Sequence, residues 1–132
     1  MIILDTAATR ALADGHKTLN LLAGNMARTP GDLLRIPALC LMQAESEDAG
    51  AAQRVLSFSS VVVDDLGTVA SVSVGSMIRD GYGGADTCHA LYCALPRPDF
   101  TGMSILLTDR EEAYPPGVVT VGIDSPGMLG FH

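Results

Sequence analysis

Short apolar runs and helical stripes alternate along this chain. Ile2, Ile3 and Leu4 open it as a continuous apolar run that stops at Asp5-Thr6, which predicts a buried strand presenting a carboxylate at its C-terminal end. Residues 9–14 fit a short helix stopped by Gly15. Leu19, Leu22, Ala23 and Met26 then recur at i, i+3, i+4 and i+7, one face of a helix over 17–28. Thr29-Pro30-Gly31-Asp32 reads as a turn, 33–36 as a second strand ended by Pro37, and 38–47 as a helix that is apolar first and acidic later.

Residues 51–59 read as another helix, and the β-branched run Val61-Val62-Val63 as a third strand, closed by the turn Asp64-Asp65. The stretch 68–80 carries two patterns. Val72 and Val74 alternate with serines as in a strand, whereas Ala70, Val74, Met77 and Ile78 fit a helical face; Gly81 as a C-terminal stop decides for the helix. Cys88, Leu91, Tyr92 and Leu95 line one face of a helix over 85–95, broken by Pro96-Arg97-Pro98-Asp99. Residues 104–107 and 118–121 form the fourth and fifth strands, with one helical turn over 111–114 between them. The prediction is an α/β fold: a three-layer α/β/α arrangement with a mostly parallel sheet of four to five strands. Residues 1–132 are read as one domain, with 124–132, which contain Pro126, Gly127 and Gly130, as a loose tail.

Composition sharpens this. Hydrophobic residues make up 48% of the 132, with no Trp and few aromatics, which suits aliphatic packing against a buried sheet. The three cysteines, Cys40, Cys88 and Cys93, lack a C-x-x-C spacing and read as reduced thiols of a cytoplasmic protein, Cys40 and Cys88 as small core residues. No basic n-region with an apolar h-region opens the chain, and no apolar run approaches the roughly 20 residues of a membrane span. The formal net charge of −7 opposes generic nucleic-acid binding, which needs Lys and Arg against phosphate. Nucleic-acid chemistry here requires a local basic patch, a dimer groove or divalent cations.

Candidate chemistry follows from topology, because ligands of an open parallel sheet bind outside the carboxyl ends of its strands. Asp5 ends the first strand, Thr108-Asp109 ends the fourth, Asp86 opens the helix leading to the fourth, and Gln43 and Glu45 lie on the helix after the second. Each has a structural alternative. Asp5 suits an N-cap, Asp86 a first-turn acid that complements the helix dipole, and Asp109, Glu111 and Glu112 a solvated helix start. His89 lies three residues beyond Asp86 and can share its helix face, although a lone histidine is more often structural. His16 and His132 read as surface residues. No G-x-G-x-x-G, P-loop or G-x-S-x-G element is present.

Ile2-Ile3-Leu4-Asp5-Thr6, Ile36-Pro37-Ala38-Leu39 with a following acid, Ala85-Asp86 before a small-residue helix, and Leu106-Leu107-Thr108 occur in that order across nearly the whole chain. In this the sequence resembles the PIN-domain family, which includes the toxin ribonucleases of bacterial toxin–antitoxin pairs. The resemblance implies a metal-dependent endoribonuclease that gathers carboxylates around Mg²⁺ or Mn²⁺, hard cations that prefer oxygen ligands. The cation activates a water and also relieves the carboxylates, since two unit charges about 4 Å apart repel by roughly 4 kcal/mol at an effective dielectric near 20. Position by position it implies Asp5, Asp86 and Asp109 as metal ligands, with Glu45 as a fourth catalytic acid. It also implies RNA as substrate, a small antitoxin as partner and a homodimer.

Two positions depart from the family pattern. The second acid belongs near position 43, where the chain has Gln43; Glu45 lies about 200° further round the helix. The fourth belongs two residues after Thr108, where the chain has Arg110, with Asp109 one residue early and Glu111 one late. An arginine in the pocket can neutralise acids without a metal. The alternative is therefore a catalytically degenerate PIN-like domain that binds RNA or protein. A regulatory α/β domain unrelated to nucleic acid is the third reading.

Overall fold

The computed structural model describes residues 1–96 and 102–131. The proline break after Pro96 and the position of His132 lie outside the described residues. Five strands, β1 (Ile2–Leu4), β2 (Leu34–Pro37), β3 (Val61–Asp64), β4 (Ile105–Thr108) and β5 (Thr120–Gly122), form one sheet in the order β3-β2-β1-β4-β5, and every pairing is parallel. Central β1 aligns Ile2 with Leu34 on one side and with Ile105 on the other. Parallel strands need crossover connections, and helices provide them. These are α1 (Thr6–Ala13), α2 (Lys17–Ala27), α3 (Ala38–Glu47), α4 (Ala51–Leu56), α5 (Thr68–Arg79) and α6 (Ala85–Ala94).

The apolar runs are buried as continuous runs should be: Ile3, Leu4, Leu34, Ile36, Leu106 and Leu107 are fully excluded from solvent. Helical stripes close over them. The predicted Leu19–Leu22–Ala23 face of α2 is buried, and Met26 packs partly against the same core. Cys40, Cys88 and Cys93 are all buried, and none of them forms a disulfide among the described residues.

Two expectations are corrected, and the helix chosen for 68–80 is borne out. The first helix begins at Thr6, three residues earlier than its apolar pattern suggested, because Asp5 caps it. The double pattern at 68–80 resolves as helix α5, which leaves Val69 and Val72 exposed on its outer side. The tail predicted to be loose instead forms 3-10 turns over Pro126–Phe131, and Met128, 2% exposed, joins the core. An apolar side chain six residues beyond the end of β5 is enough to dock a segment that lacks helical periodicity.

Candidate functional site

In this strand order the connections run outward from β1 through β2 to β3, then return to β4 on the other side of β1. The switch point lies between β1 and β4, and the segments leaving these strands carry Asp5-Thr6 and Asp109-Arg110. An open cleft of about 450 Å³ sits there, lined by Thr6, Arg10, Glu47, Asp86, Asp109 and Arg110 among others. A hollow of about 430 Å³ elsewhere on the protein is lined by Met1, Leu22, Met26, Arg35 and other residues, but it lacks convergent carboxylates.

Asp5 stays in the sheet through its own N–H, which donates to the Leu107 carbonyl at 3.3 Å. Its side chain turns back over the start of α1. Oδ1 accepts the Ala8 N–H at 3.0 Å, the capping bond expected of an aspartate there. Oδ2 accepts the Tyr114 hydroxyl at 2.8 Å. Only 7% of Asp5 is exposed, and burial raises its pKa above the ordinary carboxylate value, against the opposing hydrogen bonds from Thr108, Ala8 and Tyr114. Burial, followed by the charge of Asp5, drives the Tyr114 phenol far upward, so its hydroxyl stays protonated and donating.

Asp86 stands in the first turn of α6 and reaches the segment after β1: its Oδ2 accepts the Thr6 hydroxyl at 2.6 Å. The thiol of Cys40 donates to the Asp86 carbonyl at 3.2 Å. Burial holds that thiol well above its ordinary pKa, and the charges of Asp5 and Asp86 both push the same way. Residues 5, 40 and 86 are thus neighbours, although 81 positions separate the two aspartates (86 − 5).

The other predicted site residues are distributed differently. Asp109 lines the cleft, half-exposed, with Arg110 Nε 3.7 Å from its Oδ1. Arg110 lines the cleft as well. Glu45 lies outside it: its carboxylate accepts the N–H groups of Gly50 at 2.9 Å and Ala52 at 3.0 Å, capping α4. Those two bonds hold its pKa below the ordinary value. Gln43 donates to Glu47 at 2.8 Å, and Glu47 pairs with Arg10 at 3.0 Å. His89 is fully buried and accepts the Leu39 N–H at 3.2 Å, serving the start of α3 that Pro37 leaves without a side-chain cap.

Four residues have roles here that no motif announced. Glu47 brings an acid from α3 to the cleft; the available signal was its position one helical turn beyond Gln43. Tyr114, Thr6 and Arg10 act through pairings across 109, 80 and 37 positions, which no local pattern encodes. His16, expected at the surface, caps α2 through Nδ1 and meets Asp124 at 2.8 Å through Nε2, beside the same cleft.

A divalent cation of the Mg²⁺ class needs about six oxygen ligands, typically with more than one carboxylate. Among the described residues no group of three or more His, Cys, Asp or Glu side chains is placed to hold a metal ion. Both oxygens of Asp5 are engaged, one oxygen of Asp86 is taken by Thr6, and Asp109 faces a guanidinium. This donor set does not fit Mg²⁺ or Mn²⁺ as arranged. What the cleft offers is five carboxylates (Asp14, Glu47, Asp86, Asp109, Asp124) beside the guanidiniums of Arg10 and Arg110. Among the described residues, no helix is long and apolar enough to cross a membrane.

No model of a known protein family matches the chain, and no curated protein matches it. Among solved structures, it is similar to a chain of the DNA-bound VapBC complex from Salmonella typhimurium. The two share 17% identity with a TM-score of 0.59, over 92% of this chain and 97% of that one. At that identity the likeness speaks for architecture alone, and together with the all-parallel five-stranded sheet flanked by helices it gives the chain a PIN-like fold.

Proposed function

We propose that this chain is a PIN-like protein of the toxin–antitoxin type whose cleft binds a partner and does not cleave RNA. The observation that carries this reading is the state of Asp5, whose two oxygens are taken by the Ala8 N–H and the Tyr114 hydroxyl. Around it, Gln43 stands where an acid is expected, and Arg10 and Arg110 already meet Glu47 and Asp109. Charge in the cleft is therefore balanced in part by the protein's own guanidiniums. The remaining carboxylates favour cationic side chains of a protein partner over phosphate, in keeping with the net charge of −7. A small antitoxin-like protein and a second copy of the chain are the partners this reading supplies, with the cytoplasm as the place of action.

One observation favours a second reading, a Mg²⁺- or Mn²⁺-dependent endoribonuclease. The Thr6–Asp86 hydrogen bond ties the residue next to Asp5, the first predicted ligand, to Asp86, the third, near the switch point of the sheet. In that case Asp5, Asp86 and Asp109 would have to rearrange to hold the cation, and the chemistry it would supply is the activation of water for attack on phosphate.

Purified protein incubated with structured RNA and Mn²⁺, beside Asp5→Asn, separates the two. The binding reading expects no cleavage by either protein and a fluorescence-anisotropy signal with an arginine-rich peptide that Asp86→Asn/Asp109→Asn weakens. Cleavage by wild type that Asp5→Asn abolishes sinks the binding reading and establishes the nuclease.

A further inference from the structure

Helix α5 is covered on one side only. It lies chiefly against α6 and buries Ala70 and Val74. On its other side Val69 is 71% exposed and Val72 67%, more than any other large apolar side chain among the described residues. By helical periodicity Val69, Gly75 and Arg79 all fall within about 60° of Val72, so they share that outer face. Gly75 sits in mid-helix, where glycine is a poor helix former. A Cβ added there would meet nothing within 4 Å, so the chain's own packing does not call for a glycine. What a glycine permits at such a place is the close approach of another backbone. The charges are ordered along the same face. Asp65 precedes α5, Arg79 ends it, and both are exposed. Among the described residues neither of them forms an ion pair.

We infer that α5 is a self-association surface, on which a second copy of this chain lays its own α5 antiparallel about a two-fold axis at Val72. One axis accounts for every feature of the face. Asp65 and Arg79 lie seven residues either side of Val72 (72 − 65 and 79 − 72), and Val69 and Gly75 lie three either side (72 − 69 and 75 − 72). Setting Val72 against the partner's Val72 therefore brings Val69 to the partner's Gly75 and Asp65 to the partner's Arg79. A two-fold contact occurs twice, so the pairing makes two ion pairs and seats two valines over glycines. A parallel pairing would oppose like charges at both ends. A 12-residue helix is about 18 Å long, so the face is smaller than a standard interface, and the dimer should dissociate on dilution. No residue of α5 lines the cleft, and the pairing holds whether the cleft binds a partner or cuts RNA.

The test is sedimentation velocity of the full chain at pH 7 over a dilution series. Wild type is expected to pass from twice 13.7 kDa to 13.7 kDa as it is diluted. Val72→Glu sets two carboxylates against each other at the axis and raises the dimer dissociation constant at least about ten-fold. Gly75→Leu keeps Val69 of the second copy away and acts in the same direction, while the open space at that position leaves the monomer folded. Asp65→Arg and Arg79→Asp each raise the constant about three- to ten-fold, and the double variant restores the wild-type value. A wild type that stays monomeric at every concentration overturns the inference and leaves the face to a different partner. A dimer indifferent to Val72→Glu overturns it too, as does a double charge variant no tighter than either single one. Circular dichroism checks the fold of each variant, and should Val72→Glu unfold, Gly75→Leu and the charge exchange decide. RNA cleavage is scored separately, since it bears on the cleft and not on α5.

Discussion

The bond between Asp5 and Tyr114 links the start of α1 to a strap 109 positions away, and its strength can be measured by a double-mutant cycle. Asp5→Ala removes the α1 cap, worth about 1 kcal/mol. It also leaves the buried Tyr114 hydroxyl without its acceptor, at about 1–3 kcal/mol. The expected loss is about 2–4 kcal/mol, a large share of the roughly 5–15 kcal/mol that holds a domain folded. Tyr114→Phe strips a hydrogen bond from a buried carboxylate, at about 1.5–3 kcal/mol. The double variant has neither an orphaned hydroxyl nor a deserted carboxylate, so it should fall short of the summed losses by about 1–3 kcal/mol. Urea unfolding at pH 7 reads this directly. With a slope of about 2 kcal/mol/M, a loss of 3 kcal/mol lowers the midpoint by about 1.5 M. Single losses that add to within about 0.5 kcal/mol would show that the two side chains do not interact, and the description of the pocket would fall with them. A pH series adds the sign. The folded protein holds the Asp5 proton more tightly than the unfolded chain does, so ionised Asp5 opposes folding at neutral pH. Compared with Asp5→Asn, wild type should therefore gain stability as pH falls through the folded pKa, with the gain complete below the ordinary aspartate value of 3.8.

Glu45 should behave in the opposite sense. Its pKa is lowered, so its contribution is present above the unfolded value of 4.5 and fades as pH falls through the folded pKa; a difference in urea midpoint between wild type and Glu45→Gln that persists at low pH would contradict its capping role. His89→Leu should lower stability by about 1–3 kcal/mol through the lost acceptor for the Leu39 N–H, read by the same urea midpoint, and an unchanged midpoint would refute the capping assignment. Met128→Ala should cost about 2–5 kcal/mol in chemical denaturation, whereas a truly loose tail would make the change silent.

Elements governed by nearest-neighbour chemistry were legible in the sequence. The helix Ala38–Glu47 falls where its pattern put it, and the strand Val61–Asp64 follows its β-branched run. The start of α1 was misplaced because apolar periodicity is silent about a cap, while Asp5 satisfies the first turn from outside it. At the site, the sequence identified Asp5, Asp86 and Asp109 as residues near the strand ends, and the structure puts all three around the switch point. Glu45 was the nearest acid in sequence to the expected position, yet helical geometry turns it towards α4 and brings Glu47 to the cleft instead. Tyr114 and Arg10 were invisible because their partners are chosen by tertiary packing.

The strand order also bears on how the protein can be made. β1 precedes both of its strand neighbours in the chain, yet it needs them on both sides, and one of them, β4, does not begin until Ile105. A nascent chain must carry its most apolar strand half-paired for most of its synthesis. The last core contributor among the described residues, Met128, comes another 20 positions after the end of β4 at Thr108 (128 − 108). Such late closure of long-range parallel pairings is slow and exposes sticky edges, so production of this protein should depend on holdase chaperones more than its small size suggests.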